Sequence, residues 1–114
     1  MTANRVYSIL SMPAAAGDEE ELLHRFAELR IFDLAGKLAG LRAARLLRPS
    51  TPNEPFLVLA EWDTADAYHA WLAHDERARV NAELAPLLDG ELRGELYSVA
   101  DTWPHIDPPE GRRP

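Results

Sequence analysis

The stretch that constrains this chain most is FLVLAEW at positions 56–62, followed without a gap by DTADAYHAWL at 63–72. In an extended chain Phe56, Val58, Ala60 and Trp62 point to one side and Leu57, Leu59 and Glu61 to the other, because successive strand residues alternate. Both sets are mostly apolar, so the segment predicts a strand buried on both faces. Asp63 and Thr64 are helix N-cap residues, and Asp66 places negative charge at the positive end of the helix dipole. A buried strand therefore turns almost at once into a helix carrying Tyr68 and Trp71, and the other elements must be arranged around that corner.

Upstream, Arg5 to Met12 holds the β-formers Val6, Tyr7 and Ile9 and stops at Pro13, which predicts a first strand. Asp18 is placed to cap a helix whose first turn is Glu19, Glu20 and Glu21. Leu22, Phe26 and Leu29, widened by Leu23, Ala27, Ile31 and Leu34, form one apolar stripe, so a single helix is expected up to Gly36 or Gly40. The run LRAARLLR at 41–48 lies between Gly40 and Pro49 and is short for a helix, which favours a strand. STPNEP at 50–55 is a turn.

Downstream of Leu72, Ala73 and His74 predict a kink. Asp75 is expected to cap a second helical piece from Glu76 to about Leu88, ended or distorted by Pro86. A last strand is expected near Glu95 to Thr102. Residues 1–103 are thus expected to form one domain and 104–114, PHIDPPEGRRP, a flexible C-terminal tail.

The order strand, helix, strand, strand, helix, strand predicts an α+β, ferredoxin-like split β-α-β-β-α-β fold: a four-stranded antiparallel sheet with its helices on one face. The other face would be left apolar around Leu57 and Leu59. A bare apolar sheet face is unusual on a monomer, so a homodimer through the sheet faces is expected.

With 114 residues and a net charge of −7, the chain is one domain that repels phosphate backbones and anionic membranes, so neither nucleic acid nor a membrane is an expected partner. It has no cysteine, which excludes disulfides, thiolate metal sites and cysteine nucleophiles. The N-terminal MTANRVYSIL lacks the apolar core of an export signal, and no apolar run approaches the ~18 residues of a membrane span. A cytoplasmic protein is expected. His69 and His74 lie about 140° apart on a helix rather than on one face, and His24 and His105 are isolated, so no metal site is expected. Phosphate-binding glycine loops, dinucleotide fingerprints and the GxSxG elbow are absent.

The corner EWDTADAYHAWLAHDERA resembles the antibiotic biosynthesis monooxygenase family of dimeric α/β-barrel proteins. In that family a strand ends in tryptophan, a Ser/Thr-x-x-Ala-Phe/Tyr helix start follows, and an aromatic residue or a tryptophan-leucine pair comes a turn later. The matching positions here are Trp62, Thr64, Ala67, Tyr68, Trp71 and Leu72, and the resemblance spans about Arg5 to Trp103. It implies the ferredoxin-like fold, a dimer and a small aromatic substrate. Family members include enzymes that oxidise anthrone-type polyketide intermediates without metal or flavin, haem degraders, quinol oxygenases and proteins with no known chemistry.

Carried over residue by residue, the quinone-forming pattern keeps its pocket tyrosine at Tyr68 but has Val58 where those enzymes have asparagine. The haem-degrading pattern keeps its tryptophan at Trp71 but has Asn81 in place of the iron-ligating histidine. The resemblance therefore implies catalytic roles for Tyr68 and Trp62, substrate contacts from Trp71, Val58, His69 and Asn81, and no cofactor. Against it stand plainer readings: Trp62 and Trp71 as core, Tyr68 reaching solvent through its hydroxyl, and His69 as surface. The expected function is cofactor-independent oxidation of a phenol- or anthrone-type polycyclic intermediate by O2. A cyclase or isomerase, or a non-catalytic ligand-binding protein, are the alternatives on the same fold.

Overall fold

The structure, a computed structural model, describes residues 5–104; the expected tail lies almost wholly outside them. Four strands, β1 (Val6–Met12), β2 (Leu41–Leu47), β3 (Phe56–Trp62) and β4 (Arg93–Ser98), form one sheet in the order β2-β3-β1-β4. Every neighbouring pair is antiparallel. Four helices, α1 (Glu19–Glu28), α2 (Ile31–Ala39), α3 (Ala65–Leu72) and α4 (Asp75–Leu84), and a 3₁₀ turn at Ala85–Leu87 complete it. This is the expected α+β, ferredoxin-like arrangement.

The expected single first helix is two. Arg30 takes left-handed angles, φ 53° and ψ 46°, between α1 and α2. Unbroken from 19 to 39, the helix would run ~31 Å at 1.5 Å per residue, whereas seven-residue strands span only ~23 Å. The break lets the segment bend over the sheet: α1 buries Leu22 and Phe26, and α2 buries Ala35. Gly40, at φ 80°, ends α2 in the left-handed cap that glycine favours.

Three elements have ends that differ from those expected. Asp18 makes no side-chain cap bond, because its φ of −104° and ψ of 11° lie outside the extended region that capping needs; its carbonyl instead accepts from the Leu22 N–H at 2.8 Å. His74, not Asp75, caps α4, with Nδ1 accepting from the Glu76 N–H at 3.0 Å. Strand β4 starts and stops earlier than expected because Ser98 pairs with Val6, the first residue of β1, so Val99 to Thr102 have no strand to pair with. Other boundaries hold: Thr64 Oγ1 accepts from the Ala67 N–H at 3.0 Å, and Pro86 turns the end of α4 into the 3₁₀ turn.

All four helices cover one sheet face, where Phe56, Val58, Ala60 and Trp62 are buried. Leu57, Leu59 and Glu61 are only half-buried, so the described residues cover β3 on one side, not two. Register places Tyr7, Ile9 and Ser11, Ala43, Arg45 and Leu47, and Arg93, Glu95 and Tyr97 on that same open face. No described helix is long and apolar enough to cross a membrane.

Candidate active site

Between the covered face and the helices lies a cavity of ≈ 70 Å³. Its walls are mostly apolar, from Leu10, Met12, Val58 and Ala60 on the strands to Phe26, Ile31, Phe32 and Ala35 on α1 and α2. Polar atoms enter it at few points, and each is placed by its element.

Strand β3 delivers Trp62, 3% exposed, at the corner with α3. Its Nε1 donates to Ser8 Oγ at 2.9 Å, a buried bond between adjacent strands. A buried indole N–H needs such an acceptor. The Trp62 ring meets the Tyr68 ring edge-on, with centroids 5.6 Å apart and planes at 67°. Thr64 starts α3 so that Tyr68 and Trp71, three residues apart and each 7% exposed, face the cavity together.

Tyr68 reaches across to β4, where Gly94 leaves room for it. A Cβ on Gly94 would lie 2.9 Å from the Tyr68 hydroxyl, closer than packing permits. Burial pushes the Tyr68 phenol above its ordinary range; the Arg77 charge pulls it down and Glu95 pushes it up, both less strongly than burial acts. Near neutral pH this side chain is therefore a hydrogen-bond donor and not a base.

Arg77 and Asn81, one turn apart on α4, bring the remaining polar groups to the cavity. Burial lowers the Arg77 pKa, which the Tyr68 phenol partly offsets, yet the guanidinium keeps its charge. Among the described residues no carboxylate pairs with it. A half-buried, unpaired cation beside a neutral phenol in an apolar cavity is poised to stabilise an anion that forms there.

Of the residues expected from the sequence, Trp62, Tyr68, Trp71, Val58 and Asn81 all line this cavity. His69 does not: it is exposed, its ring tilted against that of Tyr68 at 5.5 Å. Ser8, Arg77 and Gly94 are additions that the sequence reading misses. A signal for two of them is present: Ser8 alternates with Val6, Leu10 and Met12, and Arg77 shares the i, i+3, i+4, i+7 stripe of Val80, Asn81 and Leu84. Among the described residues no cluster of three or more His, Cys, Asp or Glu side chains could hold a metal ion.

Solved structures with this fold include SnoaB, a cofactor-independent oxygenase from Streptomyces nogalater. It is 21% identical, with a TM-score of 0.75 over 90% of this chain and 100% of that one. A candidate antibiotic biosynthesis monooxygenase from Caulobacter crescentus is 17% identical, with a TM-score of 0.72 over 87% and 92%. A point mutant of MhuD, solved with two manganese protoporphyrin IX molecules per active site, is 25% identical, with a TM-score of 0.66 over 85% and 96%. No curated protein matches the sequence. The family model described as antibiotic biosynthesis monooxygenase matches residues 5–83, and on that match the chain belongs to the antibiotic biosynthesis monooxygenase family.

Proposed function

We propose that the protein is a cofactor-independent monooxygenase of aromatic polyketide biosynthesis, oxidising a phenol- or anthrone-type ring with O2. The observation that carries this reading is that the Tyr68 hydroxyl and the Arg77 charge, which no carboxylate among the described residues pairs, share an otherwise apolar cavity walled by Trp62 and Trp71. The likeness to SnoaB supports it.

In such a reaction the substrate supplies the electrons. Its methylene loses a proton, the resulting phenolate-stabilised carbanion reacts with O2, and the peroxide takes up a proton and expels water to leave a quinone. One oxygen atom enters the product and the other leaves as water. The protein has to hold the ring, exclude water and favour the anion. Arg77 lowers the cost of the phenolate through its charge, and Tyr68 donates to the phenolate oxygen, in a site dry enough for both to act strongly. Trp62 and Trp71 hold the ring faces. With Tyr68 protonated and His69 outside the cavity, the proton leaves to solvent or to another phenolate of the substrate.

We also propose that a second copy covers the open sheet face, giving a homodimer. The apolar residues Ile9, Leu57 and Leu59 at the centre of that face support this.

Single-site kinetics test the oxygenase reading. Tyr68→Phe should lower turnover of an anthrone by about 10² with little change in KM, since the lost bond strengthens only as charge develops. Arg77→Gln should lower turnover at least as much. Turnover unchanged in both variants would remove this pair from the chemistry. Conversion to a cyclised or isomerised product without O2 would instead favour the alternative reaction on the same cavity.

A further inference from the structure

We infer that Phe32 sets the length of ring system the protein accepts, acting as a movable partition between the cavity and a second hollow beyond the α1–α2 break. The inference rests on the aromatic-substrate reading above. The inner cavity, ≈ 70 Å³, is far below the roughly 300–1,000 Å³ of sites that enclose drug-sized ligands. The outer hollow measures ≈ 340 Å³. Phe26, Ile31 and Phe32 line both, so these side chains are the wall between them. Joined, the two spaces reach the size a multi-ring phenol needs.

Of the three, Phe32 is built to yield. Phe26 is buried on α1, within the cluster that includes Met12, Leu22 and Phe56. Phe32 is half-buried on the first turn of α2, edge-on to Phe26 with centroids 5.2 Å apart. That turn begins at left-handed Arg30 with no side-chain cap bond, and its polar tie is the exposed Arg30–Asp33 ion pair at 2.8 Å. A ring turning at Phe32, which packs on that cluster from its margin, breaks an edge contact and apolar packing but no hydrogen bond. The same Arg30 and Asp33 rim the outer hollow, so the far end of a ligand would meet charge. The accepted substrate is then an elongated phenol of three or more fused rings, its reactive ring at Tyr68 and Arg77 and its distal, hydroxylated ring beyond Phe32.

Ligand-length selectivity tests this in the full chain carrying Trp103→Phe, so that Trp62 and Trp71 alone report binding by fluorescence quenching. Phenol, 2-naphthol and anthrone are titrated without oxygen, which keeps binding separate from turnover. Phe32→Ala should tighten anthrone by about fivefold and phenol by less than about twofold, and Phe32→Trp should weaken anthrone by about tenfold while sparing phenol. Should Phe32→Ala not fold, Phe32→Leu and Phe32→Trp read the same ratio. An anthrone-to-phenol ratio that stays constant across the folded variants overturns the partition and leaves the oxygenase reading standing. Altered selectivity without O2 consumption has the opposite meaning, and quenching by none of the three ligands overturns both.

Discussion

The two faces of the sheet are made by the same strands from similar residues, yet they are built for different ends. On the covered face polar groups are few and internal: Ser8 is tied to Trp62, and Tyr68 and Arg77 look into the cavity. On the open face Ile9, Leu57 and Leu59 form a half-buried centre, while Leu47 and Tyr97 are 40% and 50% exposed. Charge there sits toward the margins, at Arg45, Arg93 and Glu95 and at Glu61, which pairs with Arg5 at 3.1 Å. One face encloses a tyrosine hydroxyl and an arginine in a mostly apolar cavity. The other offers apolar surface that none of the described residues covers, which is what an assembly surface requires.

Breaking the open face should have the largest effect. Leu57→Glu with Leu59→Glu would bury two unpaired carboxylates in the proposed dimer, at several kcal/mol. Light scattering should then show monomer or unfolded chain. A folded dimer carrying both changes would show that the interface is elsewhere.

On the covered face, Trp62→Ala should cost about 3–5 kcal/mol in denaturant unfolding, because it opens a hole at the strand-to-helix corner and leaves Ser8 without its donor. Trp62→Phe keeps most of the volume and should cost much less. Equal losses would mean that the hydrogen bond outweighs the packing.

These contrasts also explain what can be read from the sequence. The β3 alternation, the Thr64 cap and the Pro86 stop are legible because each is a local pattern with one physical outcome. The break at Arg30 is not, since the apolar stripe continues through it and arginine gives no turn signal; the mismatch between helix and strand length decides it. Two apolar faces on β3 are legible from composition, but composition does not say what covers each, and the described residues cover only one of them. Arg77 is hidden in the charged run DERAR, where a solvated face is the usual reading. Val58, in the position where quinone-forming relatives are expected to carry asparagine, leaves a polar role open, which the proposed reaction gives to Arg77 in the same cavity.

A subtler test on the same face uses pH. Tyr68 titrates above its ordinary range when folded, so the folded chain holds that proton more tightly than the unfolded one. The associated stability is present below about pH 10, the usual tyrosine value, and is lost as pH rises toward the folded value. Thermal melting from about pH 9 to about pH 11, bracketing that value, should therefore fall more steeply in the wild type than in Tyr68→Phe, with Tyr7 and Tyr97 common to both. Parallel curves would mean that the phenol is solvated. The smallest effect is local: Thr64→Ala, which removes the α3 cap, should cost about 1 kcal/mol in denaturant unfolding. A loss several times larger would mean that Thr64 does more than start the helix.

The claim that the covered face is an oxidising site is tested most directly by oxygen uptake. Purified protein, free of iron and flavin, is given anthrone in an oxygen electrode, and the product is identified by mass. The account predicts one O2 consumed per anthraquinone formed, with one product oxygen drawn from ¹⁸O2. Binding of anthrone without oxygen uptake above the uncatalysed rate would contradict it.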